Sequence, residues 1–392
     1  MRHRFYLRKS TLGLVVFLLI FPLDSIFYFL GDFTGFDVPV GILGIVLAGL
    51  CIPCFSKDLG LPLIGFFTYA LLVLFLIIVT VASSNSSWLD LYFWLRAVAL
   101  FVSGYLVYKF FVEFNVKKYL PLFYFIFLVL LFISIAFEIP DETNYLRVSG
   151  GALLLSLFIL AIEDSRFRVL IFIPLVFLML YKFESRFSII SFFFAVLCYV
   201  FVISGRFTRL SLLIFIPLSM MVGYQIGNYY FQELDSIHAV RLLRLIYETE
   251  NDTSLNARSE LSSEALNIFT ENPLLGEFKY YRSGGSGGGY AHNFLSYWAE
   301  FGLIGIFFTL FAFFAFIFSF LKSLCLLKLK RPGPRAAFLC SVVFVLGFLF
   351  AKSYVWSYTY WFIGFSLGFI SNSNLSGYRK YEYNLPPSPS LK

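Results

Sequence analysis

The side chains best suited to chemistry in this chain are a set of arginines and one histidine. Arg96, Arg147 and Arg186 lie at or near the ends of long apolar runs, and Arg241, Arg244, Arg258 and Arg282 fall in one long polar stretch. A guanidinium stays charged and offers a planar fork of donors that matches phosphate oxygens two at a time. Several converging on one cavity would suit a pyrophosphate. His292 is one of three histidines and stands where the polar stretch gives way to a new apolar run. A neutral imidazole near pH 7 can take a proton from a hydroxyl. Plainer readings stand beside these. Arg96 can pair with a carboxylate such as Asp90, Glu138, Asp141 or Glu184, and His292 can cap a helix or fill an interface. His238 lies in an amphipathic stretch and His3 in the basic N-terminus, and neither suggests chemistry. The sequence contains no DxD pair, no phosphate-binding Walker loop and no His/Cys cluster with zinc spacing. The expectation is therefore a reaction without metal, nucleotide or other cofactor, on a donor activated by its own leaving group.

These residues must be positioned by elements that live in lipid. Of 392 residues, 59% are hydrophobic and only 14% charged, against about a quarter charged in soluble domains. So much apolar surface cannot be hidden from water, which makes the bilayer a partner of the chain. The net charge of +7 is that of a membrane protein with basic cytoplasmic segments and gives no case for nucleic acid. A crossing helix needs about 20 apolar residues. Twelve segments qualify or nearly so: 11–30, 39–56, 62–82, 90–110, 119–139, 148–163, 167–183, 187–204, 209–227, 294–321, 336–352 and 354–371. With the N-terminus inside, twenty lysines and arginines fall on inner segments, and only Arg147, Lys182, Arg186 and Lys352 fall in short outer loops. This is the asymmetry the positive-inside rule requires. The basic N-terminus is read as the flank of a first spanning helix, since no small-residue cleavage pattern follows it. Cys51 and Cys54 form a CxxC, but without the strand–helix context of a redox motif, so the cysteines read as packing residues.

The spans divide the chain into a bundle of about nine helices over 1–227, an outer loop over 228–292, about three more helices over 293–371 and an inner tail over 372–392. The expected fold class is all-α: a polytopic integral membrane protein with one long outer loop. The loop carries helical patterns of its own. Ile237, Val240, Leu243 and Ile246 recur at helical spacing, and Leu261, Ala265 and Ile268 form a second stripe that should end before Pro273. Residues 283–289, SGGSGGG, read as a flexible connection, and the polar, proline-containing tail after Asn372 reads as disordered.

Within this frame, the stretch from Ala257 to Gly305 reads ARSELSSEALNIFTENPLLGEFKYY, a Gly-rich insert, then YAHNFLSYWAEFGLIG. It resembles the signature of the O-antigen ligase/polymerase superfamily, with Arg258, Asn272, Pro273, Leu274, Gly276, His292, Asn293, Glu300, Gly302 and Gly305 on the pattern. Glu184-Ser185-Arg186 and Arg147-Val148-Ser149-Gly150 resemble two further family elements at outer helix ends. The second departs from its pattern, because Gly150-Gly151-Ala152 runs into Leu153 without the usual Asn, which puts the role of Arg147 in doubt. The resemblance implies a GT-C-like, metal-independent inverting glycosyltransferase of the bacterial inner membrane, with its site and long loop facing the periplasm. Its donor would be an undecaprenyl-pyrophosphate-linked oligosaccharide. Arg186 and Arg258 would hold the pyrophosphate, with Arg147 and Arg96 beside them. His292 would bind or deprotonate the acceptor hydroxyl, and Asn293 and Glu300 would complete the substrate site. A chain-length regulator and a flippase would be protein partners. The implied activity is O-antigen polymerase. Ligase activity toward lipid A–core remains an alternative, as does a flippase or transporter of lipid-linked oligosaccharide. Against transport stand the absence of a visible internal repeat and the gathering of ionisable residues at one face instead of the midplane.

Overall fold

The structure is a computed structural model that describes residues 9–34, 40–50, 61–83, 88–113, 116–137, 145–183, 185–204, 253–280, 291, 293–327, 331–350, 356 and 358–371. Numbered over these residues, the helices are α1 (Lys9–Ile20), α2 (Pro22–Thr34), α3 (Val40–Leu50), α4 (Leu61–Ala82), α5 (Trp88–Glu113), α6 (Leu120–Ala136), α7 (Tyr145–Ile162), α8 (Arg166–Lys182), α9 (Arg186–Ile203), α10 (Thr253–Glu271), α11 (Leu295–Leu326), α12 (Pro332–Phe350) and α13 (Tyr358–Ser371). No strand occurs among the described residues. In lipid a helix satisfies its backbone groups within the segment, which is why apolar runs fold this way. Six helical stretches are long and apolar enough to cross a bilayer: Thr11–Gly31, Ile64–Ala82, Asp90–Phe111, Val116–Ala136, Leu295–Leu326 and Pro332–Phe350. Val40–Leu50, Val148–Ile162 and Phe187–Ile203 are apolar but shorter. The expected span 209–227, the stripe at 237–246, the Gly-rich connection and the tail lie outside the described residues.

At the centre, α5 is held between α1 and α13 by contacts close enough to exclude side chains. A Cβ on Gly104 would stand 1.9 Å from the Trp361 carbonyl oxygen, and one on Gly364 would stand 1.9 Å from that of Phe101. Without a hydrophobic drive between helices in lipid, such small-residue contacts are a main source of association, through van der Waals packing. Around them the many phenylalanines interlock. Phe344 stacks on Phe362 at 4.3 Å and 9°, and Phe158 meets Phe17 and Phe111, each at 4.7 Å. Gly104→Ala is expected to force α5 and α13 apart, costing about 1–3 kcal/mol or more as overpacking does. Gly49→Ala is the control, since nothing lies within 4 Å of its added Cβ. Thermal unfolding in detergent should fall clearly for the first variant and hold or rise for the second.

One end of the bundle is tied by charge. Asp164 accepts from Lys117 and, at 2.9 Å, from Arg335, while Glu163 accepts from Tyr124 Oη at 3.0 Å and pairs with Arg168 at 3.3 Å. Burial pushes the Asp164 carboxyl up, but the hydrogen bonds from Lys117 and Arg335 outweigh it and hold the group below its ordinary value. Lys117 and Asp164 are about half exposed, so their pair contributes no more than ~1 kcal/mol. Its role is to fix register among α6, α7, α8 and α12. These are basic residues expected on the inner side, and the candidate site lies at the opposite end.

Candidate functional site

At that opposite end, α10 and the turn after it form a cap seated on an elbow in α11. Read as a sequence, 294–321 is one apolar span. In the structure Gly302, at φ 55° and ψ −134°, breaks α11 into an arm over 295–301 and a long helix over 303–326. The arm folds back so that Tyr297 stacks on Phe308 at 5.1 Å and 17°. Hydropathy cannot register this break, because an apolar arm packed against an apolar helix has the composition of a continuous span.

The turn over 272–280 grips the elbow through its backbone. Glu277 N–H donates to the Ala299 carbonyl at 2.7 Å, and Leu303 N–H donates to that of Leu274 at 3.3 Å. Gly276 has φ 67°, and a Cβ there would stand 2.5 Å from the Ala299 oxygen and the Phe301 nitrogen. Only glycine tolerates this combination of positive φ and backbone approach. Gly276 and Gly302, both on the family-like pattern, thus serve the joint between cap and bundle.

Glu300 belongs to the same joint. It is fully buried, and its Oε2 accepts from Lys279 N–H at 2.5 Å, while Oε1 has no hydrogen-bond partner among the described residues. Lys279 itself was not singled out from sequence. It is a non-glycine residue at φ 59°, buried, with Nζ 2.5 Å from Asp90 Oδ2 on the first turn of α5. A buried pair of this kind contributes little net stability against apolar packing, yet losing one partner is costly. Asp90 was a candidate partner for Arg96, and its described ion pair is with Lys279. Arg96 is half-buried, with an Nε that finds no hydrogen-bond partner among the described residues.

The cap sets out the residues flanking His292. Ala291 N–H donates to Tyr280 Oη at 3.1 Å. Asn293 Nδ2 donates to Ser262 Oγ at 3.3 Å, and Ser262 Oγ donates to the Arg258 carbonyl at 2.8 Å. Asn293 Oδ1 accepts from Leu295 N–H at 3.0 Å, and Phe294 N–H donates to the Phe348 carbonyl at the end of α12, at 3.0 Å. Residues on both sides of position 292 are therefore anchored, one turn of α10 from an exposed Arg258. His292 lies outside the described residues.

On the other side of the α12 end, a small open cleft lies between the N-terminal half of α7 and the first turn of α9, lined by Gly150, Leu153, Leu154, Phe187, Ser188, Val343, Phe344, Trp356 and Tyr358. Ser185 Oγ accepts from Ser188 N–H as the cap of α9, and Ser188 Oγ donates to Ser149 Oγ at 3.3 Å. That bond joins the helix starts that carry Arg147 and Arg186, whose side chains lie outside the described residues. Trp356, Tyr358, Ser262 and Tyr280 had no sequence signal, since each acts through a contact across many residues.

Among the described residues, no group of three or more His, Cys, Asp or Glu could hold a metal. The architecture defines an all-helical membrane protein with a capped end. No protein-family model matches the chain, and no curated protein matches it.

Proposed function

We propose that the chain is a membrane glycosyltransferase that polymerises lipid-linked sugar repeat units, an O-antigen polymerase, with the capped end in the periplasm and twelve spans in the inner membrane. The charge asymmetry of the sequence supports the orientation. The observation that carries the reading is the anchoring of Ala291 on the 272–280 turn and of Asn293 on α10 one turn from Arg258, at the same end of the bundle as the joined starts of α7 and α9.

In this reading Arg258 and Arg186 bind the pyrophosphate of an undecaprenyl-linked glycan, with Arg147 and Arg96 beside them. His292 accepts the proton of an acceptor hydroxyl as its oxygen attacks the anomeric carbon. The bond from that carbon to the phosphate oxygen breaks with inversion, and undecaprenyl pyrophosphate departs with the electron pair. Charge grows on the leaving group, so arginine contacts that strengthen as the bond breaks lower the barrier.

The test is lipopolysaccharide analysis of a deletion strain. A polymerase deletion leaves lipid A–core carrying at most one repeat unit. Bare core with accumulated lipid-linked polymer would identify a ligase instead, and undecaprenyl-linked units retained on the cytoplasmic side would identify a flippase.

A further inference from the structure

The 272–276 turn carries two large, adjacent apolar side chains that stand exposed: Leu274 is 70% exposed and Leu275 61%. Exposed apolar groups at the tip of a polar segment call for a partner. The position of the turn names one. Leu274 is hydrogen-bonded through its carbonyl to Leu303 N–H, and Leu303 begins an exposed row on α11 that continues through Phe307, Leu310, Phe314, Phe318 and Leu321. The spacing keeps this row on one helix face. It covers about 27 Å of helix, close to the ~30 Å of a bilayer core.

The height of the elbow agrees. Phe301 packs on Trp94 at 5.5 Å, and Trp94 Nε1 donates to Thr80 Oγ1 at 2.9 Å, two residues from the end of α4. Ile78 and Val81, beside Thr80, are more than half exposed, as lipid-facing residues are. The turn therefore stands level with the end of the apolar band. Its neighbours Glu271 and Glu277 are acidic and exposed, and its one cation, Lys279, is buried against Asp90, so among the described residues of the turn no positive charge is exposed.

We propose that this turn is a membrane-surface anchor, in which Leu274 and Leu275 enter the lipid chains of the cap-side leaflet next to the exposed row of α11. The anchor holds α10, and with it Arg258, at headgroup height. The proposal does not depend on the glycosyltransferase reading.

The test places a nitroxide at Leu275→Cys in the full-length protein, with the other cysteines replaced except the fully buried Cys340. The protein is reconstituted in phosphatidylcholine nanodiscs, with Phe314→Cys and Glu260→Cys as lipid and water references. The label should collide readily with oxygen and several-fold less with a water-soluble nickel chelate than the label at Glu260 does. Anionic phosphatidylglycerol should leave this pattern unchanged. A label as open to nickel as that at Glu260 overturns the proposal, and so does one shielded from both reagents, which signals cover by protein. Leu275→Trp in the native-cysteine protein gives the same decision through quenching of its added fluorescence by brominated lipid.

Discussion

His292→Ala is expected to lower polymerisation by roughly 10²–10⁴-fold, the usual contribution of a general base, while the protein still inserts and accumulates. The measurement is chain extension by purified protein supplied with lipid-linked repeat units. The neighbours of His292 make the variant interpretable. Ala291 is held by Tyr280 and Asn293 by Ser262 and Leu295, all through bonds that do not involve the imidazole, so its removal should leave the surrounding chain in place. His292→Gln separates two roles, because an amide can orient a hydroxyl but cannot take its proton. If Gln restores most activity, the histidine positions the acceptor, and the pyrophosphate's own leaving ability carries the reaction. If both variants are inactive yet still bind lipid-linked donor, base chemistry is supported. Normal activity in both would remove the acceptor site from the junction between cap and bundle. His238→Ala is the control and should cost little.

What the sequence made legible follows the reach of each interaction. Crossing helices are written in runs of about 20 residues, and an apolar run can fold in lipid in few other ways. The stripe of Leu261, Ala265 and Ile268 was equally local. α10 covers it, ends at Glu271 ahead of Pro273, and buries Ala265. The Gly276 and Gly302 positions were visible as a pattern, but their purpose was not, because each is explained by the backbone of the other segment. The carboxylate of Glu300, expected at the substrate, is enclosed in the joint, where it meets Lys279 N–H. The Asp90–Lys279 pair joins residues 189 apart in sequence, and no periodicity marks such a contact. Asn293 and Arg258 are brought together through Ser262, an intermediary whose type gives no hint of the task.

Gly302→Ala is expected to undock the cap and abolish polymerisation while leaving the helices of the bundle folded. At φ 55° and ψ −134° the backbone lies in a region that L side chains rarely enter, at a cost on the order of 1–3 kcal/mol. The added Cβ would also stand 2.6 Å from the Leu274 carbonyl carbon and 2.7 Å from the Gly276 nitrogen. Both atoms belong to backbone that is itself hydrogen-bonded, so neither can move aside cheaply. Relief requires either that the elbow open or that the 272–280 turn lift away. In both cases the Leu303–Leu274 and Glu277–Ala299 bonds break, Lys279 withdraws from the partly buried Asp90, and Glu300 loses the bond from Lys279 N–H. Hydrogen exchange should therefore rise across 253–280 and 295–303 and stay unchanged in α5, α7 and α13. Exchange rising equally throughout would mean that the cap and the bundle fold as one unit. Unchanged exchange with normal chain extension would show that the elbow tolerates a side chain, and that the cap is held by something other than this joint.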